Sequence, residues 1–468
     1  MTEQSAAQRI TKREQIAILA SSAVAALSTF VATWIANFAL PAAQVTEFLL
    51  FWAALFGVFG IVAGIASEST RAVGAARLAP ATPSATTATN ATTTMSAATP
   101  AAAGSSAAAI RGASVALTAG AIGGAVALLI ALSSPLWVGQ IATTAPGATV
   151  VLLVTGVALY AVHSAASGAA AGSNSWFLYA FLGGGEAVWR LVAMALVTFL
   201  AGSLISLEAA VVSPVLLWLV LALTHAPTRR VLLSRADVNS ARLLHNMLFA
   251  ILSSAASAVL MTGFPLVLRF SEQAAAHSEQ FLVLGALILA VSICRSPIMI
   301  PLQAFQGVAI AAFLKQRHRP LQAFMRPAVA LTAVGAVGAL LAALVGPFLF
   351  LLIYPPKHDA VTAYHTVAQP WVLAALTAAS AVMALLVLSG TAILALNGHT
   401  YYAAGWIIAA AATTALVFLV PLPLIERTII ALFLGPATGV LLHLLGMRRL
   451  AWDHPGADRL DEAQQPHG

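Results

Sequence analysis

Between Glu279 and Lys315 the chain carries a single charge, Arg295, in the run QFLVLGALILAVSICRSPIMIPLQAFQGVAIAAFL. A guanidinium in hydrocarbon costs a few kcal/mol, about 2.5–3.5 on insertion scales, so it requires a carboxylate, a polar cavity or an anionic ligand. Three readings stay open: a cross-helix pair with Glu186, snorkelling toward the cytoplasm, or ligation of a phosphate, whose oxygens match the planar fork of donors. Glu186 and Arg190 stand four residues apart with the acid first, the favourable order for a helical ion pair. They either neutralise each other for insertion or form the wall of a cavity that binds an anion or couples to a proton. Glu68 and Arg71, in GIASESTRAVGAAR, make either a solvated helix end or a gate. Trp34 and Asn37 lie near the outer end of the first span, where Trp anchors at the membrane interface. His163 reads as a packing residue rather than a proton relay.

None of this is bond-making chemistry. The only lysines are Lys12, Lys315 and Lys357, so no Gly-rich phosphate loop ends in Lys. No His-Glu-x-x-His or paired-carboxylate arrangement occurs, and the scattered histidines suggest no metal. The expectation is a protein that is not an enzyme, with no cofactor and no metal. A single cysteine, Cys294, excludes an internal disulfide.

The elements that must position these residues are membrane helices. The 468 residues are 60% hydrophobic and 8% charged, against about 25% charged in soluble domains. Uncharged apolar runs place twelve spans near residues 16–39, 47–67, 112–134, 148–170, 177–201, 209–224, 246–268, 280–312, 327–353, 370–395, 402–421 and 428–446. With both termini cytoplasmic, seventeen Lys/Arg fall in inner segments and only Arg269, Lys357 and Arg427 in outer ones. That asymmetry fixes the orientation and explains the net charge of +7 as topology rather than nucleic-acid binding. It also predicts one long span, kinked at Pro297 and Pro301, over residues 280–314; two short spans would put Lys315, Arg317 and Arg319 outside.

Ala/Thr/Ser/Pro low complexity over residues 78–110 predicts a disordered cytoplasmic linker, and the tail over 451–468 is predicted to be solvated. A Ser-rich span, a short outer loop and an acidic opening of the next span occur twice, around Thr46-Glu47 and around Ser278-Glu279. Both pairs suit a helix N-cap with an acid in the first turn. The echo predicts two parallel six-helix lobes, 1–225 and 226–450, an arrangement that encloses midplane substrate sites in transporters.

The run LPAAQVTEFLLFWAALFGVFGIVAGIASESTRAV resembles the first loop and second span of polysaccharide and oligosaccharide-lipid flippases, members of the superfamily that includes the MATE drug exporters. LILAVSICRSPIMIPLQAFQGVAIAAF is similar to the eighth span of actinobacterial members. The resemblance implies an all-α, MATE-like fold in the plasma membrane. It implies a flippase that carries a polyprenyl-phosphate-linked saccharide to the outer leaflet by alternating access. Arg295, Arg190 and Glu186 would then line the substrate cavity, Glu68 and Arg71 would gate it, and Trp34 and Asn37 would sit at its outer end. Its partners would be the lipid-linked saccharide, membrane lipids and glycosyltransferases of the same pathway. The long linker after the second span departs from the family pattern, and the lack of an arginine in the first span is unlike the lipid II branch of the superfamily, which argues against lipid II as the substrate. Two other classes are a cation-coupled exporter of small amphipathic molecules, with Glu186 essential, and a membrane scaffold for cell-envelope assembly.

Overall fold

The computed structural model describes residues 11–78, 112–200, 202–272, 274–276, 278–316 and 319–452. The linker from residue 79 and the tail from residue 453 lie outside them. Twelve helices are long and apolar enough to cross a membrane: α1 (Lys12–Ala39), α2 (Ala42–Leu78), α3 (Val115–Ile141), α4 (Pro146–Gly172), α5 (Trp176–Leu200), α6 (Leu204–Thr224), α7 (Ser240–Ser271), α8 (Glu279–Lys315), α9 (Pro320–Leu344), α10 (Pro370–Ala395), α11 (His399–Leu419) and α12 (Leu424–Leu450). Together they make the chain a multi-pass membrane protein, with no strand beyond one isolated bridge, Ser114 to Arg235, among the described residues.

The long apolar stretch is one helix, with Pro297 and Pro301 inside it. Ser278 caps α8 by accepting from the Phe281 amide, and Glu279 opens the first turn. The matching prediction for α2 fails. Pro41 is its N-cap, the helix begins at Ala42, and Thr46 and Glu47 stand inside it. The helix thus starts five residues early, after Pro41, whose ring cannot continue a helix from before it, and this frees Glu47 for another task. Its buried carboxylate accepts from the amides of Thr143 and Thr144, both at 3.1 Å, and from their hydroxyls. Glu47 thereby pins the α3–α4 connection.

Packing is extensive within each half of the chain: α1 on α5, α3 on α4 and α2 on α4 in one; α11 on α12, and α10 on α8, α9 and α12 in the other; the α2–α7 contact across the halves is as extensive as any of these. Across the halves, α2 carries the seam. Gly57, Gly60 and Gly64 share one face of α2 at spacings of three and four, the small-residue pattern that lets helix backbones approach. A Cβ at Gly64 would stand 2.4 Å from the Ala250 carbonyl oxygen of α7, and one at Gly57 would meet Gly263 at 3.6 Å. Higher up, Thr46 donates to the Phe281 carbonyl of α8 at 3.4 Å. Toward the C-terminal end of α2, Arg71 binds Glu68 through Nε and Nη2 (2.8 and 2.7 Å) and Asp237 through both Nη atoms (3.0 and 3.2 Å). Asn246 donates to Glu68 at 2.9 Å.

Candidate functional site

Above that seam, α1, α2, α7 and α8 surround a cavity of about 250 Å³. α1 supplies Thr29 and Thr33, α2 supplies Trp52, α7 supplies Thr262, and α8 supplies Ser292, Arg295 and Ser296. The four helices are the first two of each predicted lobe. Every described buried residue of α1 lies between Ser28 and Asn37, its C-terminal part, and its first two turns are largely exposed.

Arg295 owes its position to a break in α7. The helix widens into a π-turn over Val259–Gly263, followed by Pro265 near the start of the next helical segment. Pro265 has no N–H, so it cannot serve Met261 four residues back, nor Leu260 five residues back in the π register. Arg295 Nη1 takes up both carbonyls, at 3.0 Å for Met261 and 3.4 Å for Leu260. Among the described residues nothing accepts from Nε or Nη2, and no carboxylate lies within ion-pair distance of Arg295. One nitrogen of the guanidinium is thus structural, and its charge stands unpaired at the cavity wall.

Glu186 is not the partner of Arg295. It pairs with Arg190 and, through its other oxygen, approaches His163 Nε2 at 3.3 Å. Arg190 is 5% exposed and lies against aromatic faces, its Cζ 4.8 Å from the centre of the Phe56 ring and 5.8 Å from that of Trp52. Such contacts favour a cation where water is excluded. Tyr160 stacks on Phe59 at 3.8 Å and on His163 at 5.5 Å, closing the cluster. Arg190 and Glu186, predicted to line the cavity with Arg295, instead lie one layer behind it. Trp52 separates them, because the i, i+4 pair satisfies itself within α5 and turns away from the lumen.

The outer-end residues divide as well. Trp34 is 44% exposed, stacks on Phe38 and is not among the residues that line this cavity. Asn37 is buried in a clasp between α1 and the α9–α10 connection. Its carbonyl accepts from the Tyr364 hydroxyl at 2.7 Å, and its amide reaches the Pro355 carbonyl at 3.4 Å. Thr33 meets the Tyr354 hydroxyl at 3.0 Å, and Lys357 donates to the Phe38 carbonyl at 3.0 Å. Tyr364 sits on the short helix Val361–Val367. Sequence reading missed Pro265, Tyr354 and Tyr364. The Gly-Phe-Pro run inside the seventh span was the available signal for the first; the tyrosines carried none. Glu68 and Arg71 form a strap between α2 and the start of α7, in a seam packed along its length.

No family model matches the chain. Two relatives in Mycobacterium tuberculosis strain H37Rv are named only as uncharacterized proteins. Rv1510 is 33% identical over 432 residues, 92% of this chain and 90% of the relative, and Rv3630 is 34% identical over 322 residues, 69% and 72%. Among solved structures, an inward-facing MATE-family multidrug resistance transporter of the MOP superfamily superposes with a TM-score of 0.62 at 12% identity, covering 96% of this chain and 100% of that one. A MOP superfamily transporter from Pyrococcus furiosus, whose binding pocket is described as having reverse polarity, gives 0.64 at 11% identity over 95% and 99%. Likeness at that identity establishes a common fold, and the relatives establish kinship: the chain belongs to the family of membrane proteins that includes Rv1510 and Rv3630, and it is built on the MATE-transporter fold.

Proposed function

We propose that the protein is a flippase for an anionic lipid-linked saccharide, a polyprenyl phosphate carrying a sugar head group. It would move that head group from the cytoplasmic to the outer leaflet of the plasma membrane, with both chain termini inside. The observation that carries this reading is Arg295: an uncompensated guanidinium at the wall of a hydroxyl-lined cavity between the halves. A buried cation without a carboxylate is costly, and an anionic head group entering the cavity would offset that cost. Ser292, Ser296, Thr29 and Thr262 offer hydroxyls for a sugar, and in this reading the clasp at Asn37 closes the outer side while the head group enters from the cytoplasm. The lipid tail would remain in the bilayer while the head group crosses.

The test must separate the guanidinium's two jobs. Arg295→Ala in proteoliposomes should abolish transport of a polyprenyl-phosphate sugar while the protein still inserts. Pro265→Ala restores the N–H that Met261 lacks, so Arg295→Ala on that background removes the ligand contact with the helix repaired. Recovery of transport in the double variant would reduce Arg295 to a structural plug and overturn the assignment.

A second reading, a cation-coupled exporter of small amphipathic molecules, draws support from the buried Glu186–Arg190–His163 cluster. It requires Glu186→Gln to be inactive; an active Glu186→Gln excludes coupling through that residue.

A further inference from the structure

At the end of the molecule assigned to the cytoplasm, away from the central cavity, a cleft of about 360 Å³ opens between the end of α2, the α4–α5 turn and the α6–α7 connection. Arg77, Arg230 and Arg235 line it, with Ser173, Ser175 and Ser234 between them. Asn174, at φ 56°, makes the tight turn that sets the two α4–α5 serines side by side, their hydroxyls 3.1 Å apart.

The charge balance of the cleft is lopsided. None of its three arginines is in an ion pair among the described residues. Arg77 donates to the Ser173 carbonyl and Arg235 to that of Gly112 at 3.0 Å, while the Arg230 side chain has no described partner. The neighbouring acids, Glu68 and Asp237, are both committed to Arg71. Three cations therefore converge on a hydroxyl-lined hollow that no acid among the described residues neutralises. The rim has a different character: Leu78 and Leu233 are 74% and 77% exposed, and each adjoins a cleft residue in sequence. Trp176, next to Ser175, packs edge-on against Tyr179, the kind of aromatic pair that sits at head-group level.

We propose that this cleft binds the phosphate of an anionic phospholipid in the inner leaflet. The arginines would ligate the phosphate while Leu78 and Leu233 rest against the acyl region. A soluble phosphate compound would meet the same three cations, but exposed leucines at the rim favour a ligand with an apolar part. The inference depends on the positive-inside orientation and not on what the central cavity carries.

The experiment uses the full-length chain purified in detergent, offered mixed micelles of phosphatidylglycerol or phosphatidylcholine, with retained lipid counted by native mass spectrometry. The wild type should retain phosphatidylglycerol in preference to phosphatidylcholine. Each of Arg77→Gln, Arg230→Gln and Arg235→Gln should weaken retention about fivefold, the value of one basic residue at an anionic surface. The triple variant should lose the preference while unfolding at the wild-type temperature, and Arg295→Ala should leave it unchanged. Equal retention of both lipids, or an undiminished preference in the triple variant, overturns the proposal. So does loss in Arg295→Ala, which would place the lipid in the central cavity. If inorganic phosphate displaces the lipid completely and alone stabilises the protein through the same arginines, the ligand is a soluble phosphate and the lipid assignment falls.

Discussion

Under the alternating access proposed above, the clasp between α1 and the α9–α10 connection would have to open, and the geometry of one bond says how much it should matter. Tyr364→Phe removes a buried hydroxyl donor 2.7 Å from Asn37, leaving the amide oxygen of Asn37 without its partner while the clasp is shut. In the open arrangement both groups meet water, so the penalty falls on the closed state alone, at about 1–3 kcal/mol for an orphaned buried acceptor. That corresponds to a rise of roughly 5- to 150-fold in the open-to-closed ratio. Tyr354→Phe should do less, because Thr33 keeps its bond to the Phe30 carbonyl at 2.8 Å and is not orphaned. The chain is well suited to a labelling assay. Its only cysteine, Cys294, is buried, so Ser292→Cys on a Cys294→Ala background gives a single reporter in the cavity. The rate at which a membrane-impermeant maleimide added outside modifies it should follow the order Tyr364→Phe, then Tyr354→Phe, then parent. Identical rates in all three would show that the clasp does not control outer access.

Two further substitutions probe the frame. Glu47→Ala withdraws the acceptors of four hydrogen bonds from Thr143 and Thr144, and should cost at least about 3 kcal/mol, read as a lower unfolding temperature in detergent. Gly64→Leu drives a side chain into the Ala250 carbonyl, so the α2–α7 seam should lose about 1–3 kcal/mol or more. Disulfide trapping of cysteines placed along that seam should then slow against the parent.

The span count and the long α8 were legible because both are questions of apolar length and charge placement, and the bilayer enforces those without regard to side-chain detail. Arg295 was legible for the same reason: one charge in thirty-odd apolar residues cannot be idle. What surrounds it was not. Its carbonyl partners come from the π-turn and Pro265 of α7, and nothing in a one-dimensional pattern says which helix will face another. The pairing of Arg295 with Glu186 rested on charge alone, and the intrahelical pair that the Glu186–Arg190 spacing also offered is the one that forms. Glu47 shows the same limit from the other side: an acid near a helix start suits the first turn, but Pro41 had already moved that start.

Trp52 joins the two buried charge clusters into one problem. One side of its ring meets the cavity and the other lies near Arg190, so neither cluster is independent of the indole's position. A ligand that displaced Trp52 would strip Arg190 of an aromatic face and leave Glu186 and His163 to compensate it. Trp52 therefore links the cavity to the buried Arg190–Glu186–His163 cluster behind it. Trp52→Ala opens that cluster to water, and it should make transport by the wild-type Arg295 site depend on Glu186. On the Trp52→Ala background, Glu186→Gln should lower transport further. If Trp52→Ala and Glu186→Gln change transport additively, the indole does not couple the two sites.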